Sequence, residues 1–132
     1  MKKHLVSIVE DHILFGKALV NLLSEKPNIK IVSVFRSGEE ALEKLPQLDV
    51  DLLLVDVSLP KMNGIDVVSQ IREKFPNIRC LMLSGHVTPL YVKRSMEAGA
   101  RGYVLKDDVK GILEAVQRVL DGETYLSVPL RN

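Results

Sequence analysis

The sequence predicts one doubly wound parallel sheet of the α/β class, with five strands and five helices. Three observations lead there. Five short apolar runs recur along the chain, helical signals follow each of them, and glycine or proline stands where one kind of element gives way to the other. Four of the runs are near-continuous in apolar residues, the pattern of parallel strands covered by helices on both faces.

The first strand is predicted over residues 5–9. After it, Phe15, Leu19, Leu22 and Leu23 fall at i, i+4, i+7 and i+8, one face of a helix that Pro27 follows. The second strand, residues 29–35, contains Lys30 and Ser33 and is therefore placed at an edge of the sheet. Ser37-Gly38-Glu39-Glu40 is a capping box and opens the second helix. Residues 52–55 form the third strand; Val68, Ile71 and Phe75 stripe the next helix, with Pro76 beyond it. Residues 80–83 are the fourth strand. Thr88-Pro89 supplies an N-cap and a first-turn proline for a helix over about residues 89–98, which Gly99 closes. That helix has a thin stripe (Val92, Met96, Ala98) interrupted by Lys93, Arg94, Ser95 and Glu97, so it is expected to shift more easily than its neighbours. Residues 102–105 are the fifth strand, and Ile112, Ala115, Val116, Val119 and Leu120 mark the last helix.

Composition narrows the function. The 132 residues suit one domain with a core that needs no disulfide. Eighteen basic residues against seventeen acidic ones leave a net charge of +1, which argues against nucleic-acid binding by bulk electrostatics. No apolar run exceeds five residues, far below the ~20 that span a bilayer, and the N-terminal stretch meets Glu10-Asp11 before it could serve as a signal peptide. The single cysteine, Cys80, lies inside a predicted strand and fits a reducing cytoplasm and an apolar role. A cytoplasmic chain without membrane attachment is the expectation.

In sheets of this class, ligands gather beyond the carboxyl ends of the strands. Those positions are Glu10 and Asp11 after the first strand, Asp56 after the third, Ser84 after the fourth and Lys106 after the fifth. Each has an ordinary reading by itself. Asp11 could be the N-cap of the first helix, Asp56 a loop aspartate, Ser84 a strand-end hydroxyl and Lys106 a solvated lysine. Together they imply a site. Two carboxylates ~4 Å apart repel by about 4 kcal/mol at an effective dielectric of ~20, so three require a cation or protons. Oxygen-only ligation with positions open to water and phosphate suits Mg²⁺ rather than zinc. A carboxylate beside Mg²⁺ can attack phosphorus to give an acyl phosphate, with Lys106 and Ser84 placed to meet the charge of the transferred group. The near-neutral total thus conceals a local charge of about −3 before the metal, or −2 with Lys106 counted.

The set Val9-Glu10-Asp11-His12, Val55-Asp56-Val57-Ser58-Leu59-Pro60 with Asn63-Gly64, Leu83-Ser84-Gly85 and Gly102-Tyr103-Val104-Leu105-Lys106 resembles the receiver domain of two-component response regulators. The likeness spans residues 4–121 in that family's order and spacing. It implies a flavodoxin-like fold with strand order 2-1-3-4-5. It further implies that Asp56 is the phosphoacceptor, and that the metal ligands are the side chains of Asp11 and Asp56, Glu10 through water, and the backbone carbonyl of Ser58. Lys106 matches the lysine that pairs with phosphate, Ser84 and Tyr103 the switch pair, and Val57 and Gly85 backbone contacts to phosphate. His86 and Ser58 stand where the family tunes the lifetime of the phosphoryl group. Two positions depart from the usual pattern: Glu10 replaces an aspartate, and Asp107 stands where many members have a proline, often after a cis bond.

The stretch 122–130 resembles the connector of NarL/FixJ-type regulators, in which a LuxR-type helix-turn-helix domain follows. Residues 1–121 are then the receiver and 122–132 the start of a connector to an effector domain outside this chain. The implied partners are a histidine kinase, a second copy on phosphorylation, and DNA only through the absent domain. The expected activity is a switch rather than an enzyme, limited to self-phosphorylation from phosphodonors and slow dephosphorylation. Alternatives remain at this point: a free-standing receiver acting through protein contacts, a docking module that is never phosphorylated, an aspartyl-phosphate hydrolase of the haloacid dehalogenase type, and a flavodoxin-like flavin binder. The hydrolases use Asp-x-Asp after the first strand, whereas Asp56 is followed by Val57-Ser58. A flavin phosphate would be repelled by Glu10-Asp11.

Overall fold

A computed structural model describes residues 2–131. The apolar runs form β1 (His4–Val9), β2 (Ile29–Phe35), β3 (Leu52–Asp56), β4 (Arg79–Ser84) and β5 (Gly102–Leu105). Helices α1 (Ile13–Ser24), α2 (Gly38–Lys44), α3 (Gly64–Lys74), α4 (Pro89–Ala98) and α5 (Val109–Leu120) follow them in turn. The strands are all parallel, and β2 occupies one edge as its polar residues predict.

The expectation of five strands is corrected to six. Tyr125–Leu126 forms β6, parallel to β5, and the order is β2-β1-β3-β4-β5-β6. Two residues are too few to show a period of two in sequence. Gly102 admits this strand: a Cβ there would lie 2.9 Å from the Tyr125 carbonyl oxygen and 2.8 Å from Leu81 Cδ1.

Alternation along the strands divides the core into two layers. Val6, Ile8, Leu52, Leu54, Leu81, Leu83 and Val104 pack with Leu19 and Leu23 of α1 and the whole predicted stripe of α5. Val9, Leu53, Val55, Cys80, Met82 and Tyr103 pack with Ala41 of α2 and Val67, Val68 and Ile71 of α3. Each fully buried aliphatic side chain contributes about 1.5–3 kcal/mol, so both helix layers are firmly held. Helix α4 is the exception. Its one buried residue is Ser95, whose hydroxyl has no hydrogen-bond partner among the described residues, and Val92, Met96 and Ala98 are only partly covered.

Strand register sets the position of the site. Val9 pairs with Val55, Asp56 with Leu83, and Ser84 with Leu105. The carboxyl ends of β1, β3, β4 and β5 therefore finish within a residue or two of one another, and the residues just beyond them share one rim.

Candidate functional site

At this rim the structure brings Glu10, Asp11, Asp56 and Lys106 together. One carboxylate oxygen from each acid lies within 4.8 Å of the others. Lys106 Nζ stands 2.9 Å from Asp56 Oδ2, which it hydrogen-bonds, and 2.8 Å from Glu10 Oε1. The second contact is an ion pair without hydrogen-bond alignment, so the buried Oε1 accepts no hydrogen bond. The Phe15 ring lies 4.7 Å beneath the same ammonium. In the sequence Phe15 stands out only as part of the core stripe of α1, and a stripe position carries no mark of a cation–π contact.

Electrostatics follow from this packing. Burial pushes the Glu10 carboxyl up to about 7, against the pull of the Lys106 ammonium, and neighbouring Asp56 adds to the rise. Burial lowers the Lys106 pKa, but Glu10 and Asp56 outweigh it and hold the ammonium above its ordinary value. The lysine therefore stays charged between two buried carboxyls.

Local backbone structure fixes each acid. His12, not Asp11, caps α1: its Nδ1 accepts the Phe15 N–H at 3.1 Å. That leaves Asp11 exposed, with no side-chain hydrogen bond among the described residues, and excludes the ordinary reading of it as a cap. Glu10 Oε2 accepts the His12 N–H at 3.1 Å, which turns the longer glutamate side chain back over its own loop. Asp56 Oδ1 accepts the Ser58 N–H at 2.9 Å. Below it the chain turns tightly into α3, where the Gly64 N–H donates to the Val57 carbonyl at 3.0 Å. A Cβ on Gly64 would run into the carbonyl oxygen of Asp56.

The Val57 N–H donates to the Leu83 carbonyl at 2.9 Å as a continuation of the sheet ladder. The main-chain donor to the Asp56 carboxylate itself is Ser58. The Gly85 N–H has no protein partner among the described residues, and a Cβ added there would meet open space. The peptide bond between Lys106 and Asp107 is trans.

Ser84 and Tyr103 converge on one residue, His86, through its backbone. Ser84 Oγ accepts the His86 N–H at 2.9 Å, and the Tyr103 hydroxyl donates to the His86 carbonyl at 3.3 Å. Tyr103 is fully buried, and its hydroxyl is held above its ordinary pKa by burial, partly offset by Ser84. The His86 ring contacts Tyr91 of α4 edge-on at 5.9 Å. The sequence draws attention to the His86 side chain, whereas the structure uses its main chain, which no residue type advertises.

The donor set fits a hard divalent cation. All candidate ligands are oxygens, two of the acids are buried, Glu10 Oε1 lacks a hydrogen-bond donor, and Asp11 opens the cluster to solvent. The remaining cysteine, Cys80, is buried away from this rim in the α3-side core.

The family model described as the response regulator receiver domain matches residues 6–128. The chain is 32% identical over 122 residues to the transcriptional regulatory protein DegU of Brevibacillus brevis, covering 92% of this chain and 52% of that protein. It is 33% identical over 132 residues to the response regulator protein VraR of Staphylococcus aureus, covering 96% of this chain and 63% of that one. The chain thus spans between about half and two thirds of the length of these relatives. Among solved structures, the signal receiver domain of the putative response regulator NarL from Mycobacterium tuberculosis superposes with a TM-score of 0.88 at 31% identity, over 93% of this chain and all of that one. A LuxR-family two-component response regulator from Aurantimonas superposes with a TM-score of 0.93 at 25% identity, over 98% and 93% of the two chains.

Proposed function

This chain belongs to the response regulator receiver domain family of two-component systems, and on that premise we propose that it is a phosphorylation-controlled switch whose acceptor is Asp56. The observation that carries the reading is the Asp56 carboxylate, buried at the end of β3, with Oδ1 held by the Ser58 N–H and Oδ2 by Lys106. Glu10, Asp11 and Asp56, with the carbonyl of Ser58, hold Mg²⁺, which when bound neutralises the acids and the incoming phosphoryl group.

An Asp56 carboxylate oxygen attacks phosphorus. With a histidine kinase as donor the P–N bond breaks and the electron pair returns to the imidazole; with acetyl phosphate the P–O bond breaks and acetate leaves. Lys106 moves from pairing a carboxylate to pairing the new phosphoryl oxygens, while the Ser58 and Gly85 N–H groups supply main-chain donors. Ser84 turns its hydroxyl from His86 toward the phosphoryl group. That withdraws both Ser84 bonds to the His86 backbone and leaves the one from Tyr103, so the loop carrying His86, Tyr103 and the thinly anchored α4 repack together.

Residues 1–121 carry this switch and 122–132 begin the connector. The similarity to DegU, a transcriptional regulatory protein, supports an output in transcription; we place that output in a DNA-binding domain beyond the connector, with a homodimer formed on phosphorylation. No helix among the described residues is long and apolar enough to cross a membrane, and we place the protein in the cytoplasm. Intact-mass measurement after incubation with acetyl phosphate and Mg²⁺ tests the reading. One added phosphoryl group, absent when EDTA is present, is expected; an unmodified chain under both conditions contradicts it.

A further inference from the structure

We propose that Ser127 is a positioning residue for Lys106, acting from the C-terminal segment across the outer edge of the sheet. This rests on the role given to Lys106 above. Strand β5 ends at Leu105, and β6 is too short to pair with that last residue. The Leu105 N–H points toward the β6 side and would lie buried without a partner. Ser127 Oγ supplies one, accepting it at 2.9 Å. The next N–H, that of Lys106, points the other way and donates to the Ser84 carbonyl at 2.9 Å, as alternation along a strand requires.

The same Ser127 hydroxyl donates its hydrogen to Asp108 Oδ2 at 3.2 Å. Asp108 is the N-cap of α5, and its Oδ1 accepts the Gly111 N–H at 2.9 Å. One buried hydroxyl therefore grips the residue before Lys106 and the second residue after it. The turn between them is closed by the Asp108 N–H on the Leu105 carbonyl, at 3.1 Å. Ser127 is itself fixed: it is fully buried, and its N–H donates to the Tyr103 carbonyl at 3.1 Å. Beyond it Arg131 folds back, donating from Nε to the Leu126 carbonyl at 2.8 Å, with its guanidinium 5.2 Å from the Tyr125 ring.

Lys106 reaches Asp56 and Glu10 from this turn with a long side chain, so a small rotation of its backbone carries the ammonium out of register. Misplacement of a reacting or charge-neutralising group by ~1 Å can cost up to about a hundredfold in rate. The C-terminal segment is thereby part of the apparatus that sets the site, and the same bonds connect its position to that of Lys106 and Tyr103.

The test follows the rate of phosphorylation of the whole chain by acetyl phosphate and Mg²⁺, read by intact mass. Ser127→Ala is expected to slow it about tenfold. In a Lys106→Ala background the same change is expected to produce no further slowing, because the group it positions is gone; a merely structural loss would slow both backgrounds alike. Ser127→Cys, which fills the same space with a much weaker hydrogen-bonding group, guards against misfolding of the alanine variant and is expected to be slow as well. Unaltered rates in these variants, or equal slowing in both backgrounds, overturn the proposal. Failure of the unsubstituted chain to become phosphorylated would count instead against the role of Asp56.

Discussion

Lys106 and Asp56, fifty positions apart in sequence, meet at 2.9 Å, and the same ammonium faces buried Glu10. Without metal, Lys106 is the cation that offsets the acids at the ends of β1 and β3. Lys106→Ala should therefore destabilise the metal-free protein by about 2 kcal/mol, less than for a fully buried pair because the lysine is partly exposed. Asp56→Asn introduced into that variant should restore part of the loss. Urea unfolding of the two single variants and the double variant gives the coupling; strict additivity would deny the pair any energetic role.

Bound metal should stabilise the fold by mass action, since the three carboxylates converge only in the native state. At a Mg²⁺ concentration about 100 times its Kd the gain is about 2.7 kcal/mol, seen as a rise in Tm. Asp11→Asn should abolish most of that rise while leaving the metal-free Tm little changed, because Asp11 is exposed and holds no side-chain hydrogen bond. Thermal melts with Mg²⁺ and with EDTA make the comparison.

Gly64 lies directly beneath Asp56. A methyl group there collides with the main-chain oxygen of Asp56, which cannot move without displacing the end of β3. Gly64→Ala is expected to cost about 2–3 kcal/mol, at the upper end of overpacking, and to impair Mg²⁺ binding as well. Denaturant unfolding and metal titration measured together check both effects.

Burial pushes the Cys80 thiol up to about 12. In the unfolded chain the thiol ionises above about pH 8.5, while in the native protein it keeps its proton. Folded protein then binds more protons than unfolded protein, so this group's contribution to stability falls as pH rises through that range. The stability advantage of the native chain over Cys80→Ala should shrink by about 1 kcal/mol per pH unit above about pH 9. Unfolding curves of both proteins at pH 8 and pH 10 test this; a constant gap contradicts it.

Much of this molecule could be read from residues because single residue types carried the signal. Continuous apolar runs located β1, β3, β4 and β5, the polar interruptions of β2 put it at an edge, and Ser37 and Pro89 marked helix starts that the structure reproduces. The gathering of Glu10, Asp11, Asp56 and Lys106 followed from their positions one step past the strands. What could not be read depends on main-chain groups or on packing across long intervals. β6 has too few residues to show a period. The roles of the His86 carbonyl and the Ser58 N–H belong to atoms every residue possesses. Phe15 under Lys106 and Ser127 beside Leu105 are common residues whose importance comes only from register. Likewise, His12 took the cap that an aspartate more often takes, and so left Asp11 free for the site.

The most direct measurement places the unsubstituted chain and Asp56→Asn side by side with acetyl phosphate and Mg²⁺, followed by intact-mass and peptide analysis. One phosphoryl group is expected, carried on the peptide containing Asp56, and none on the variant. Equal modification of both proteins would contradict the role of Asp56.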